Sequence, residues 1–287
     1  MIAVPATTNH SARLDPKAPV RLSHGPVVLV TGASQGIGAA TAKLLADEGY
    51  RVYGTARVPS AERTRSFEML ALDVRVDSSV LSCVSTVLER EGRIDILVNN
   101  AGVGMVGAVE ETTMTEARDL YETNVFGMGR MVAAVLPGMR ERRSGQIINL
   151  GAVAAHLPIP YHAWLVSSKA AVGSYSDALR LEVKHLGIKV SVLEPGVVAT
   201  HPGERSSLRV ATSLEAYEQH ELQAVAAIER TGLAPEAVAR VILRIIRSKE
   251  PAAHYAVGRE KWYARVGRVV PSSAVESLLD HRLGLAS

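Results

Sequence analysis

The sequence predicts an α/β fold in which a doubly wound parallel β-sheet is covered by helices on both faces. Short apolar runs alternate with stretches in which apolar residues recur at helical spacing, the pattern of a parallel sheet with crossover helices. No internal repeat, low-complexity segment or linker interrupts this alternation. We therefore predict a single domain, although a chain of 287 residues could hold two domains on length alone.

The first strand is predicted at Val27–Val30, a fully apolar run bounded by Pro26 and Gly32. The first helix follows from Ile37 and ends before Gly49, which occupies the position of a helix C-cap. Further strands are predicted at 51–55, 69–72, 94–98, 146–150, 189–193 and about 255–257. Further helices are predicted around 80–88, 115–136 and 169–181. Residues 1–25 contain scattered prolines and no periodicity, which predicts a flexible tail before a folded domain over 26–287.

The composition limits the classes of protein to which the chain can belong. The formal net charge is +3, hydrophobic residues make up 47% of the chain, and Cys83 is its one cysteine. Basic residues are interleaved with acidic ones, so we expect no nucleic-acid partner. No apolar run approaches the ~20 residues that cross a bilayer, and no signal-peptide pattern is present. We expect a cytoplasmic protein without a membrane partner, and no residue spacing resembles a metal site.

A glycine-rich loop, TGASQGIG, follows the first predicted strand and opens the first helix. Gly32 permits a tight turn, Gly36 allows the backbone to approach a pyrophosphate, and Gly38 allows the helix to pack closely on the strand. The free N–H groups and the dipole of the helix N-terminus favour a phosphate there. This context predicts a Rossmann-type dinucleotide site rather than an ordinary glycine-rich turn. Its loop residues are Thr31, Gly32, Ser34, Gln35, Gly36, Ile37 and Gly38.

The residues after the second predicted strand indicate which dinucleotide binds. An acidic residue there would bind the ribose 2′-hydroxyl of NAD(H), but this chain has Thr55-Ala56-Arg57 instead. A guanidinium can pair with a 2′-phosphate, so Arg57 favours NADP(H). The alternative is that Arg57 is an ordinary surface residue.

Several further motifs resemble, in residue type and spacing, those of the short-chain dehydrogenase/reductase family over roughly 27–255. The matching segments are the glycine-rich loop, Leu72-Asp73-Val74, Asn99-Asn100-Ala101-Gly102, Asn124, Lys169 within SSKAAV, and PGVVAT from Pro195 to Thr200. The resemblance implies cofactor contacts from Asp73, Val74, Asn100, Ala101, Gly102, Lys169, Pro195, Gly196, Val198 and Thr200. It also implies catalytic roles for Asn124 and Lys169, a helical substrate lid at about 201–230, and a homodimer or homotetramer.

Two of the four catalytic groups that the family uses are absent from this chain. The family's tyrosine lies four positions before the lysine, where this chain has Leu165, and its serine position is occupied by Ala152. In the family the phenol exchanges a proton with the substrate oxygen and the serine hydroxyl polarises the carbonyl. Neither aliphatic side chain can do this, and a positioned general acid typically contributes about 10²–10⁴-fold, so ordinary carbonyl reduction is expected to be slow.

Three polar residues near these positions are candidate substitutes for the missing groups. Tyr161 is predicted to lie one helical turn before position 165, so its hydroxyl could face the same cleft. One turn is a shift of about 5.4 Å, which favours a place at the rim over direct replacement. His156 and His162 are interpreted as loop or rim residues.

The sequence leaves three hypotheses for function. The first is an NADP(H)-dependent oxidoreductase acting on an apolar ketone or alcohol, with a substitute acid or a water held by Lys169 and Asn124. The second is a non-redox cyclase, isomerase or lyase on the same scaffold, and the third is a non-catalytic NADP(H)-binding protein. A predicted apolar cleft favours a small-molecule ligand. Its predicted lining residues are Met105, Val106, Val153, Leu157, Ile159, Trp164 and Val197.

Overall fold

The computed structural model describes residues 25–59, 66–198, 207–209 and 232–258, together with positions 214 and 217. The predicted tail, apart from Gly25, lies outside the described residues, as does most of the predicted lid.

The chain forms the parallel α/β sheet that the sequence predicts. Seven strands lie in the order β3-β2-β1-β4-β6-β7-β9, and every neighbouring pair is parallel. Two further strands, β5 and β8, pair in parallel outside this sheet. The strands are β1 Val27–Val30, β2 Arg51–Ala56, β3 Glu68–Ala71, β4 Ile96–Asn99, β5 Gly104–Val106, β6 Gly145–Leu150, β7 Ile188–Pro195, β8 Ser207–Arg209 and β9 His254–Val257.

Helices connect the strands. The α-helices are α1 Gly36–Asp47, α2 Asp77–Glu91, α3 Met114–Tyr121, α4 Met128–Arg142, α5 Ala163–Val183 and α6 Pro235–Arg247. A π-helical turn, Glu122–Gly127, joins α3 to α4, and 3₁₀ turns lie at Val153–His156 and Lys184–Leu186. Local sequence explains the ends of several helices. For example, Thr113 and Glu116 form a reciprocal capping box at the start of α3, and Gly92 ends α2 in the left-handed conformation.

Side chains on successive strand positions pack into two separate core layers, which makes the sheet doubly wound. In β1, Val27 and Leu29 face a layer with α2, α4 and α5, whereas Val28 and Val30 face a layer with α1 and α6. Cys83, on α2, belongs to the first layer and is 3% exposed.

The strand order places the expected ligand crevice at one point of the sheet. From β1 the chain winds outward to β2 and β3, then returns to β4 on the other side and continues to β6, β7 and β9. Ligands of doubly wound sheets bind where this direction reverses, beyond the carboxyl ends of the strands. The glycine-rich loop follows β1 and Asn99–Gly102 follows β4, so both motifs lie at this reversal.

The structure corrects several details of the sequence prediction. The helix predicted at 115–136 is α3, the π-helical turn and α4 in succession, and the strand predicted from Ile94 begins at Ile96. Within the predicted helical lid, Ser207–Arg209 is a strand, because its backbone pairs with β5. Helix α6 and strands β5 and β8 have no counterpart among the elements predicted from the sequence. Among the described residues, no helix is long and apolar enough to cross a membrane.

Candidate active site

The glycine-rich loop has the geometry that a dinucleotide phosphate requires. Gly32 and Gly36 both adopt left-handed backbone conformations, with φ of 67° and 55°. A Cβ at Gly36 would meet nothing within 4 Å, so the space above the loop is open. Gln35 gives no side-chain cap to α1, which leaves the first N–H groups of the helix available to an anion. The loop therefore fits a pyrophosphate, with Ser34 and Gln35 exposed beside it and Ile37 packed against the core.

Hydrogen bonds join the glycine-rich loop to the segment that follows β4. The Thr31 hydroxyl oxygen accepts hydrogen bonds from the backbone N–H groups of Asn100, at 3.0 Å, and Ala101, at 2.9 Å. The Asn100 amide in turn donates to the carbonyl oxygens of Thr31, at 2.9 Å, and Gly32, at 3.0 Å. The structure thus brings together two motifs that lie about seventy residues apart in the sequence.

The close packing of α1 on the loop makes Gly38 intolerant of a side chain. A Cβ there would collide with the Gly32 carbonyl and the Asn100 amide. We expect Gly38→Ala to lower the free energy of unfolding by about 1–3 kcal/mol, measured by urea denaturation. Gly173→Ala is the matched control, because Gly173 is also helical but a Cβ there would meet no atom within 4 Å. This substitution should raise the free energy of unfolding by about 0.5–1 kcal/mol. Equal effects of the two changes would contradict this account of the loop.

Charged residues gather at the carboxyl ends of β2 and β3. Arg57 is exposed directly after β2, and Asp73 follows β3. Hydrogen bonds from Arg75, with a smaller contribution from the charge of Arg57, outweigh burial and lower the pKa of the Asp73 carboxyl. The side chain of Val74 is buried in the core. The sequence analysis missed Arg75, whose signal was a basic residue two positions after an acid at a strand end.

Asn124 lies in the π-helical turn and is committed to protein partners. Its amide group donates to the Val103 carbonyl at 2.9 Å and to the Ser168 hydroxyl at 3.2 Å, and its oxygen accepts from the Val103 N–H at 2.8 Å. Both amide hydrogens are therefore used, so Asn124 positions the segment after β4 against α5. Ser168 is fully buried and was missed by the sequence analysis.

Lys169 projects from α5 toward the same place. Its ammonium donates to the Leu150 carbonyl at 3.0 Å, and burial lowers its pKa to about 8. A Cβ at Gly102 would lie 3.2 Å from the Asn124 side-chain oxygen and 3.5 Å from the Lys169 nitrogen. Gly102 thus separates the two side chains, and the structure brings both of the predicted catalytic residues to one point.

The two aliphatic replacements lie on the elements that lead to this point. Ala152 lies two residues after the end of β6 and has an extended backbone, with φ of −161°. Leu165 lies in the first turn of α5, half-buried, and its carbonyl accepts a hydrogen bond from the Ser168 hydroxyl. Residues four apart on a helix are neighbours, so Leu165 lies beside the base of Lys169.

The helical argument for Tyr161 is wrong. Helix α5 begins at Ala163, and Tyr161 precedes it in a left-handed conformation with φ of 61°. Its ring packs edge-on against the ring of Tyr217, with 6.4 Å between the ring centroids. The Tyr217 hydroxyl donates a hydrogen bond to Glu110 at 2.7 Å. Tyr161 therefore contacts Tyr217, which belongs to the predicted lid, and its place at the rim of the cleft stays a prediction.

The segment after β7 is partly described. Pro195 ends β7, the Gly196 N–H donates to the Val257 carbonyl at 2.7 Å, and Val198 forms an isolated bridge with Leu233. Thr200 lies outside the described residues. The predicted cleft residues are divided between two clusters, because Met105 packs with Trp164 whereas Val153 and Leu157 pack with Ile159.

Glu194, the residue before Pro195 in β7, is the centre of a charged cluster that was not predicted from the sequence. Glu194 is 3% exposed, and its Oε1 atom accepts hydrogen bonds from His156 Nε2 at 2.8 Å and from His254 Nδ1 at 3.2 Å. His254 Nε2 donates to Asp177 at 2.7 Å. Burial would raise the pKa of Glu194, but the hydrogen bonds from the two histidines lower it, and the bond to Glu194 raises the pKa of His254. The signal in the sequence was a lone acid within an apolar strand, VSVLEP.

No cluster of metal-binding side chains occurs in the part of the chain that the structure describes.

Comparison with known proteins agrees with the geometry. The family model described as short chain dehydrogenase matches residues 26–209. A 3-ketodihydrosphingosine reductase of Bacteroides thetaiotaomicron is 39% identical over 236 residues, which is 81% of this chain and 87% of that protein.

Solved structures also match the whole architecture. A short-chain dehydrogenase from Streptomyces avermitilis has a TM-score of 0.79 and 32% identity, covering 92% of this chain and 98% of that one. An actinorhodin polyketide ketoreductase solved with NADPH has a TM-score of 0.68 and 31% identity, covering 81% and 95%. The fold, the glycine-rich loop and the matched family model lead to one conclusion: the chain belongs to the short-chain dehydrogenase/reductase family.

Proposed function

We propose that the chain is an NADP(H)-dependent oxidoreductase acting on the carbonyl or alcohol of an apolar, lipid-like molecule. The observation that carries the proposal is the open glycine-rich loop, bonded to the segment after β4 beside which Lys169 and Asn124 lie. NADPH, when bound, supplies the hydride. Arg57 would hold its 2′-phosphate, and the loop at Gly36 would hold its pyrophosphate.

Lys169 is the group best placed to organise the reacting end. One of its three N–H groups is used by the Leu150 carbonyl, which leaves two for ribose hydroxyls or a water. Asn124 holds the backbone at Val103 rather than a substrate, because both of its amide hydrogens are already used. Leu165 and Ala152 supply no proton, so the substrate oxygen must take its proton from water or from another side chain.

We expect NADPH affinity to fall at alkaline pH. Because the pKa of Lys169 is about 8, its ammonium is lost as the pH rises through that value, and a hydrogen bond from a charged donor becomes one from a neutral amine. The dissociation constant should rise about tenfold between pH 7 and pH 10, followed by NADPH fluorescence. Lys169→Arg keeps its charge over this range and should lose the pH dependence. The same slope in both proteins would rule out Lys169 as its source.

The lipid-like substrate class is supported by relatives and by the chain's own residues. The 39% identical relative is named for a long-chain keto lipid, and a polyketide ketoreductase is among the structural matches. Apolar residues, including Met105 and Leu157, lie on the segments that follow β4 and β6.

The test is to incubate the protein with NADPH or NADH and either a long-chain 3-keto lipid or a short ketone, and to identify products by mass spectrometry. We expect reduction of the long-chain ketone with NADPH and little reduction of the short one. No NADPH binding, or equal binding of NADH, would overturn the cofactor assignment. Leu165 and Ala152 favour a second candidate, a non-redox cyclase, isomerase or lyase; a product of unchanged oxidation state with NADPH unconsumed would support it.

We further propose that the chain forms a homodimer or homotetramer through the outer face of α4 and α5. Phe126, in the turn before α4, and Tyr175, on α5, are 53% and 38% exposed. A groove of about 350 Å³ lies on this face. It is lined by Val132, Ala133, Leu136, Tyr175, Ala178, Leu179 and Glu182. By light scattering, Tyr175→Glu should shift the protein toward monomer, whereas Leu181→Glu, at an exposed position outside the groove, should not.

A further inference from the structure

Arg75 forms a bidentate ion pair with Asp73. Its guanidinium donates from Nη2 to one carboxylate oxygen at 2.8 Å and from Nε to the other at 3.1 Å. The backbone N–H of Arg75 donates to the same carboxylate at 3.0 Å. This planar, bidentate geometry is the strongest form of an arginine–carboxylate pair, and it occupies both oxygens of Asp73.

The pair lies at the adenosine end of the proposed cofactor site. The Leu72 N–H donates to the Ala56 carbonyl at 2.9 Å, so the residues after β2 and β3, Arg57 and Asp73, are neighbours. The glycine-rich loop rests on the same edge, because the Ala33 N–H donates to the Thr55 carbonyl at 2.7 Å. Arg57 and Asp73, with Arg75 bound to Asp73, therefore lie together at the edge of the site that the adenosine half of the cofactor would occupy.

The charges at this position favour a phosphate only while Arg75 is present. Arg57 and Arg75 contribute two positive charges and Asp73 one negative charge, which leaves +1. Without Arg75 the carboxylate would be free to pair with Arg57 and to repel a phosphate. A second cation is thus needed to keep the site attractive to an anion.

We propose that Arg75 determines the preference for a 2′-phosphorylated dinucleotide by neutralising Asp73, so that Arg57 remains available to the phosphate. This inference rests on the proposed NADP(H) function and adds a specificity-determining residue to it. Arg75 acts through Asp73 and is a positioning residue rather than a phosphate ligand.

The test uses calorimetric binding of 2′,5′-ADP and ADP, which differ in the 2′-phosphate and need no catalysis. In the full-length protein, Arg75→Gln should weaken 2′,5′-ADP binding about tenfold and change ADP binding less than twofold. Removing the carboxylate as well, in Asp73→Asn with Arg75→Gln, should restore 2′,5′-ADP binding. Arg93→Gln is the matched control, because Arg93 pairs with Asp95 at the same two-residue spacing at the opposite end of the sheet.

Three results would overturn the proposal in distinguishable ways. If the unaltered protein binds both nucleotides equally, the NADP(H) preference itself fails. If the preference exists but survives Arg75→Gln, only the role of Arg75 fails. If Arg75→Gln removes the preference and the double variant does not restore it, neutralisation of Asp73 is not the mechanism.

Discussion

Restoring two side chains, in Leu165→Tyr with Ala152→Ser, should raise the NADPH-dependent reduction of ordinary ketones and aldehydes by about 10²–10⁴-fold. The expectation follows from what the site already contains. A tyrosine at position 165 would lie one helical turn before Lys169, whose ammonium would lower the phenol pKa from its reference of about 10. A serine at position 152 would place a hydroxyl two residues after the end of β6. The measurement is kcat/KM on a panel of small carbonyl compounds.

The control for this experiment is Leu165→Phe with Ala152→Ser, which adds the ring without the phenolic hydroxyl and should stay slow. Leu165 is half-buried, so a larger side chain can extend toward the crevice. A restored protein that is folded, binds NADPH and remains inert would place the defect elsewhere in the pocket. High activity of the unaltered protein across the panel would instead show that the missing groups are not needed.

Glu194→Gln should lower the free energy of unfolding by about 3 kcal/mol near pH 6, because breaking a buried ion pair from one side leaves the partners uncompensated. Glu194 joins His156 and His254, so its single carboxylate ties the turn after β6 to the edge strand β9. Asp177→Asn is the control. Asp177 binds the same His254 but is about half exposed, and its loss should cost less than about 1 kcal/mol.

The loss of unfolding free energy caused by Glu194→Gln should be smaller both below and above pH 6. The pKa of Glu194 is below its ordinary 4.5, so its contribution is present above 4.5 and is lost as the pH falls through the lowered value. The pKa of His254 is above its ordinary 6.5, so its contribution is full below 6.5 and is lost as the pH rises through the raised value. Urea denaturation at pH 3, 6 and 9 should give the largest difference at pH 6. A constant difference would show that packing, not charge, is responsible.

Much of the fold could be predicted because the main sheet is built from strands buried on both faces. Runs such as Val27–Val30 and Ile96–Asn99 are apolar almost throughout, and that pattern is readable without tertiary information. Strand β5 has only three residues and depends on pairing with β8, a contact that links Gly104 to Ser207. Pairing between residues so far apart leaves no local pattern in the sequence. Strand β8 was therefore not predicted, and the segment that contains it was predicted to be a helical lid.

The conformation of the glycine-rich loop could be predicted because glycine positions report backbone conformation directly. The positive φ of Gly32 and Gly36 and the tight packing at Gly38 agree with the roles inferred from spacing. The charged partners could not be predicted, since Arg75 turns back on Asp73 and Glu194 meets His254 only through tertiary structure. The error over Tyr161 arose because α5 begins only at Ala163, so Tyr161 precedes the helix instead of lying on it.

The burial of Cys83 gives the molecule a built-in reporter. It is the single thiol of the chain, and burial raises its pKa to about 11. Thiol reagents attack the thiolate, so the native protein should resist labelling at neutral pH and react only when the layer beneath α2 opens. A cysteine introduced at an exposed position could therefore be labelled selectively, which makes the natural protein a suitable background for fluorescence measurements of motion around the crevice.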